Sequence, residues 1–280
     1  MDDTPYTEEA SVEQKNEWHA VAAAALVHVN GALELQAALL ALMLPSGSQR
    51  AARIWAAENE SLPDAQALLA HAGRLHANAR LPWFEQLLSR MRRQPLPARQ
   101  ALLEASRRVM QARGSVRPID RLHWLAMRQR LGGNAAVKAK TAASDELSQL
   151  PGDMLQAIAS YSAFLSRLVP TEASDANTPG AGPAWYTSVM APWQARSDLP
   201  ACAPPDTDAL VSALHELQTL AWMQRPLLVR GWFDAAVAHS LHRRLGVGAA
   251  DALRLSCTLL DSPLPPALAK LYIEAVKAPA

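Results

Sequence analysis

Apolar residues recur at steps of three and four residues along most of this 280-residue chain. One such stripe lies within a single predicted helix and consists of Trp83, Phe84, Leu87, Leu88 and Met91. Half of all residues are apolar, and alanine and leucine, which favour helices, are abundant among them. Stretches in which apolar and polar residues alternate, as they do in strands, are missing. The sequence therefore predicts an all-α fold.

Breaks in this periodicity divide the chain into two predicted helical bundles. Residues 1–10 are predicted to form an acidic flexible tail, and residues 11–133 an N-terminal bundle that is rich in arginine. The small and polar residues of 134–146 indicate a linker, and residues 147–280 are predicted to form a C-terminal bundle. Within it, PTEASDANTPGAGP at 170–183 indicates a loop, because proline and glycine interrupt helices. We expect the two bundles to pack together.

Charge and cysteine content favour a cytoplasmic protein without a transmembrane segment. The N-terminal MDDTPYTEEAS is acidic, whereas a signal peptide begins with positive charge. Cys202 and Cys257 are too few for a disulfide framework. The longest apolar stretch, residues 18–44, also contains polar residues that a bilayer span tolerates poorly: His19, His28, Asn30, Glu34 and Gln36. We therefore predict two buried helices that are separated near Gly31.

Residue patterns of known catalytic and metal centres are missing from the sequence. The chain has no HExxH motif, no GxSxG nucleophile motif and no glycine-rich phosphate loop. His71 and His76 are five residues apart, and His239 and His242 are three apart, so neither pair has the spacing of a helical zinc site. Cys257 lies on an apolar helical face, as a buried small residue does. We therefore predict no catalytic residue, no metal and no cofactor.

Arginine is concentrated in one segment of the chain. Thirteen arginines lie between Arg74 and Arg130, against Glu85, Glu104 and Asp120, so the segment has a net charge of +10 with histidines neutral. The neighbouring apolar residues must face the core, which leaves the arginines at the surface. Six of them form the predicted partner-binding surface: Arg90, Arg92, Arg93, Arg99, Arg107 and Arg108.

Such a basic surface is compatible with several partners. We favour a protein with an acidic surface, either free or associated with a membrane, and nucleic acid is the alternative. A membrane surface of anionic lipids would attract the same charges. A solvated face, partly paired with the acidic N-terminal helix, would need no partner at all.

Two of the eight tryptophans are candidates for a contact with a partner. Trp185 and Trp193 lie between two predicted loops, so we expect them to be partly exposed, and rigid aromatic side chains often anchor interfaces. The other six have spacings that suit a helical core, and they are Trp18, Trp55, Trp83, Trp124, Trp222 and Trp232. We expect Trp232 in particular to be fully buried.

The two halves of the chain show a weak internal repeat. In the first half, a helix is followed by the loop QARGSVRP and the helix RLHWLAMRQRLG. In the second half, the helix WFDAAVAH is followed by the loop SLHRRLGVG and the helix ADALRLSCTLLDSPLP. The order of elements and the loop lengths agree, which is typical of a tandem duplication.

A family resemblance rests on the apolar spacing of segments 30–45 (NGALELQAALLALMLP), 80–131, 208–247 and 252–268 (ALRLSCTLLDSPLPPAL). Together they resemble the tandem helical bundles, similar to tellurite-resistance TerB domains, that follow the protease domain of some bacterial HtpX-like membrane zinc metalloproteases. The resemblance implies an all-α accessory region. It also implies a non-enzymatic adaptor or regulatory module that binds a protein within a larger assembly.

The sequence departs from that family at its functional motifs. The family's protease domain carries HExxH, whereas His215-Glu216 is followed here by Leu217, Gln218 and Thr219. The family's Ala-Asp-Gly turn is replaced by Ala112-Arg113-Gly114 in the first half and by Leu241-His242-Arg243 in the second. A cation or histidine thus stands where the family has an aspartate, and the resemblance implies a fold without any chemistry.

Overall fold

The computed structural model describes residues 11–45, 48–112, 114, 116–132, 146–169, 181–195 and 199–275. Within these ranges the protein consists of thirteen α-helices and three short 3₁₀ helices, with no strand. The predicted all-α fold is confirmed. The predicted tail and almost all of the predicted linker lie outside the described residues, as does most of the predicted loop at 170–183.

The described residues divide into two compact units. The first takes in the described residues before Gly114 together with those from Ile273 onward, and the second is Gly114–Tyr272. The helices of the first unit are α1 (Val12–Val27), α2 (Ala32–Met43), α3 (Gln49–Glu58), α4 (Ala65–Arg74), α5 (Ala77–Met91) and α6 (Leu96–Ala112).

The helices of the second unit are α7 (Pro118–Leu131), α8 (Gly152–Leu165), α9 (Ala181–Met190), α10 (Thr207–Leu217), α11 (Gln224–Ala238), α12 (Val247–Leu259) and α13 (Pro266–Ala269). The 3₁₀ helices are Leu147–Gln149, Ala191–Trp193 and Leu241–Arg243.

Helix α2 is the centre of the first unit. It packs against α3, α4, α5 and α6, while α1 packs against α4. Trp55 on α3 is fully buried, and its indole Nε1–H donates to the backbone oxygen of Ala37, 2.8 Å away. The five residues of the stripe predicted on α5 are all buried, which confirms the helical phase given by the sequence.

The first two helices separate where the sequence predicted. Helix α1 ends at Val27. Helix α2 begins after Gly31, whose N–H donates to the carboxylate of Glu34, 3.1 Å away. Helix α2 is buried as expected, but α1 is not, because Trp18 and Val21 are exposed. In the part of the chain that is described, no helix combines the length and apolar character needed to cross a bilayer.

The second unit is built around α8 and α12. Helix α8 packs against α9 and α10, α11 packs against α9 and α12, and α12 packs against α7. Helix α9 begins at Ala181, inside the predicted loop at 170–183, and passes close to the end of α8. A Cβ atom on Gly182 would lie only 2.6 Å from the backbone oxygen of Ser166, so glycine permits this approach.

The boundary between the units differs from the predicted one. The sequence placed residues 118–133 in the first bundle, but α7 groups with the second unit because its apolar face packs against α12. Periodicity defines which face of a helix is apolar, and it contains no information about which other helix covers that face. Helices α6 and α7 therefore fall in different units, whereas α11 and α12 share one, and the tandem repeat stays a prediction.

Candidate binding surfaces

Arg90, predicted to face a partner, instead binds the end of another helix. It lies in the last turn of α5, and its Nη1 donates to the backbone oxygens of Leu26, Val27 and Val29 at distances of 3.0, 2.9 and 2.9 Å. These oxygens lie at the C-terminal end of α1, where a cation is favourable. Partial burial lowers the pKa of Arg90. Arg90 is therefore part of the fold and is not available as a contact.

Two further arginines bind helix ends in the same way. Nη2 of Arg80 donates to the backbone oxygens of Leu42 and Leu44, at 2.9 and 3.2 Å, where α2 ends. In the second unit Nη2 of Arg225 donates to the oxygen of Gln218 at 2.7 Å, after α10, and Nη1 to that of Leu260 at 2.9 Å, after α12. Carbonyl groups at a helix C-terminus lack partners within the helix, so each guanidinium satisfies several of them.

Arg108 is paired with an acidic residue that the sequence did not associate with it. Its Nε and Nη2 donate to the two carboxylate oxygens of Glu58 at 2.7 and 2.8 Å, which joins α6 to α3. This hydrogen bonding raises the pKa of Arg108. Glu58 lies outside the arginine-rich segment 74–130, so the acids counted within that segment did not include this partner. The Glu58 side chain is 18% exposed and the Arg108 side chain 55%, so the pair lies at the surface.

The other predicted arginines form a band along two helices. Arg92 and Arg93 are exposed at the end of α5, and Arg99 is half-buried in the first turn of α6. Arg107 is exposed eight residues further along α6, about 12 Å at 1.5 Å per residue. The six predicted arginines are therefore not one compact cluster, since Arg90 binds the end of α1, Arg108 is paired with Glu58, and the six positions are spread along α5 and α6.

Trp185 and Trp193 are buried, so the prediction that they are partly exposed is wrong. The indole Nε1–H of Trp185 donates to the backbone oxygen of Trp232 at 3.3 Å, and that of Trp193 to the oxygen of Leu147 at 2.7 Å. In each ring the apolar body is buried, and the one polar group is hydrogen-bonded inside the second unit. Neighbouring loops suggested exposure, but α9, which carries Trp185, packs against α8 and α11, and the 3₁₀ helix that carries Trp193 packs against the 3₁₀ helix Leu147–Gln149.

The most exposed tryptophan of the described residues is one that the sequence assigned to the core. Trp222, just before α11, is 75% exposed, and Met223 and Leu227 beside it are 47% and 45% exposed. The sequence contained a signal for the exposure of Met223 and Leu227. If Trp232 and Leu228 face inward, as they do, then helical geometry directs residues 223 and 227 to the opposite side.

Of the remaining tryptophans assigned to the core, Trp55, Trp83 and Trp232 are buried, which confirms their assignment. Trp124 is half-buried on α7, with the guanidinium of Arg128 5.5 Å from its ring centre. Trp18 is exposed on α1, so for Trp18, as for Trp222, the prediction of core packing is wrong.

Histidines, cysteines and acidic residues are the side chains that could form a metal centre in this protein. Nowhere in the described ranges do three such side chains come together in a way that could hold a metal ion. No known protein family, curated protein or solved structure matches this chain. The resemblance to TerB-like bundles therefore stays a hypothesis.

Proposed function

We propose that this protein is a non-enzymatic adaptor or regulatory module of the cytoplasm that binds a protein with an acidic surface. The proposed contact is the basic band, which we define as Arg92, Arg93 and Arg107 on α5 and α6. Arg90 is left out because its guanidinium group binds the end of α1, Arg108 because it is paired with Glu58, and Arg99 because it is half-buried. The partner can be free or associated with a membrane, and likeness to TerB-like accessory bundles is part of the same proposal.

The observation that supports this proposal is the separation of apolar and charged residues on α6. Leu102, Ala105 and Val109 are buried on one side of the helix, and Arg107 is exposed on another. Arg92 and Arg93 extend the positive charge past the end of α5. A positively charged surface raises the rate at which an acidic partner associates, and added salt weakens that attraction.

Binding of a fluorescent poly-glutamate peptide to the full chain would test the proposal. We expect the variant R92E/R93E/R107E to bind about tenfold more weakly than wild type, because three attractive charges become repulsive. The matched control is R243E/R244E/K270E, which changes the net charge by the same amount at exposed positions of the second unit. The control should retain most of the affinity.

Two results would count against the proposal. Equal weakening in both triple variants would show that only net charge matters. Tighter binding of a random-sequence DNA duplex than of the peptide, lost in R92E/R93E/R107E and falling steeply with salt, would favour the nucleic-acid alternative.

A further inference from the structure

The outer face of α11, in the second unit, combines exposed apolar and charged residues. Helical phase places six exposed positions on one side, opposite the buried Leu228, Val229, Trp232 and Ala236. We call this side, together with Trp222, the α11 face, and its helical positions are Met223, Leu227, Arg230, Gly231, Asp234 and Ala238.

The N-terminal part of the α11 face is apolar. Trp222 is the most exposed tryptophan in the described ranges, and Met223 and Leu227, four residues apart, lie one above the other on the helix. Tryptophan and methionine are enriched in protein interfaces. Exposed apolar side chains that cluster in this way are typical of an interaction site.

The C-terminal part of the face is charged in a self-complementary way. Arg230 and Asp234 lie on the same side, and neither has an ion-pair partner among the described residues. If a second copy packs antiparallel about a two-fold axis at the level of residue 232, Arg230 of each copy lies opposite Asp234 of the other. The two positions are equally far from 232, so both ion pairs form at once.

Gly231 lies beside the expected crossing point of the two helices. A Cβ atom on Gly231 would meet nothing within 4 Å, so this part of the helix surface is open. A helix without a side chain at the crossing point lets a second helix backbone approach closely.

We propose that the α11 face binds a second copy of this chain, antiparallel, with reciprocal Arg230–Asp234 ion pairs. This dimer is independent of the acidic protein partner proposed above, because it uses a surface of the second unit and not the basic band of the first. Helix α11 is about 22 Å long at 1.5 Å per residue, so a single helix pair lies at the low end of interface sizes. We therefore expect a micromolar dimer in exchange with monomer.

Charge-swap variants analysed by sedimentation velocity of the full chain test the pairing. R230E and D234R should each weaken dimerisation about tenfold, because each places like charges opposite one another. A mixture of R230E and D234R restores both ion pairs across a mixed dimer and should dimerise like wild type. The double variant R230E/D234R restores them within a homodimer. R167E, an exposed single charge reversal elsewhere in the second unit, should change nothing.

The apolar part of the face has its own test. L227E should abolish the dimer while leaving the circular dichroism spectrum unchanged, because Leu227 is exposed in the monomer. The proposal would be overturned if the wild-type chain remained monomeric at about 100 μM, roughly a hundred times a micromolar dissociation constant. A dimer that persists in L227E would also overturn it. The same holds for a dimer that R230E disrupts and that neither the mixture with D234R nor the double variant R230E/D234R restores.

Discussion

Tyr161 on α8 and Trp232 on α11 stack inside the second unit, with ring centroids 5.4 Å apart and an interplanar angle of 30°. The indole Nε1–H of Trp232 donates to the hydroxyl of Ser162 at 2.9 Å, and the Tyr161 hydroxyl bonds that of Ser256 on α12 at 3.0 Å. Burial raises the pKa of Tyr161 far above its usual range. This pair of rings therefore connects three helices through packing and through satisfied polar groups.

Trp232→Ala should lower the free energy of unfolding by about 3–5 kcal/mol, because a large buried ring is replaced by a cavity. Urea denaturation followed by circular dichroism measures this loss. Trp232→Phe keeps an aromatic ring at this position but loses the bond to Ser162 and part of the ring volume, so it should cost less than the alanine variant. A loss below about 1 kcal/mol for the alanine variant would contradict the burial of the ring.

Arg90→Met should destabilise the first unit by about 2 kcal/mol, because charged hydrogen bonds to three oxygens at the end of α1 are lost. Methionine retains the apolar stem, so the change isolates the guanidinium group. Arg92→Met is the matched control two residues away, at an exposed position. We expect the control to change stability by less than about 0.5 kcal/mol, and equal losses in both variants would contradict the role of Arg90.

The contrast between Arg90 and Arg92 explains how far the sequence could predict the site. The stripe on α5 correctly gave the buried side of that helix, because apolar spacing follows helical geometry. It could not distinguish Arg90 from its neighbours. A guanidinium group reaches past its own helix, and its acceptors at Leu26 to Val29 lie more than sixty residues earlier in the sequence.

The tryptophans show the same limit. Trp232 was predicted correctly because it continues an apolar stripe within one helix. Trp185 was expected at the surface because loops flank it, but tertiary packing of α9 buries it. Trp222 was assigned to the core because its spacing suits a helical core, but it lies in the turn before α11 and is exposed. Local pattern defines faces of helices, and only the packing of distant helices decides which faces are covered.

Two helical glycines provide opposite predictions for the same substitution. Gly182→Ala should destabilise the second unit by about 1–3 kcal/mol, because its Cβ would lie 2.6 Å from the Ser166 backbone oxygen. Gly231→Ala should stabilise the monomer by about 0.5–1 kcal/mol, because the position is open and alanine favours the helix. Thermal or urea unfolding at low protein concentration compares the two. A stabilising Gly182→Ala would show that α9 does not approach α8 this closely.

His19 on α1 and His76 at the start of α5 lie with ring centroids 4.4 Å apart. The backbone N–H of His76 donates to Nδ1 of His19 at 3.3 Å, and Nε2 of His76 lies 3.1 Å from the side-chain oxygen of Asn16. Protonation of His19 would remove the acceptor and place a positive charge beside the N-terminus of a helix. Burial, and then the charge of His76, lower the pKa of His19.

A lowered pKa makes the first unit sensitive to acid. The unfolded state binds the proton at its ordinary pKa of about 6.5 and the folded state only at lower pH, so the stabilising contribution is complete above about pH 6.5. It is lost as the pH falls through the folded pKa. His19→Asn retains an acceptor oxygen near the position of Nδ1 and does not titrate. Urea unfolding between about pH 5 and 8 should therefore show wild type losing stability relative to His19→Asn as pH falls, and parallel profiles would exclude His19 as the acid-sensitive group.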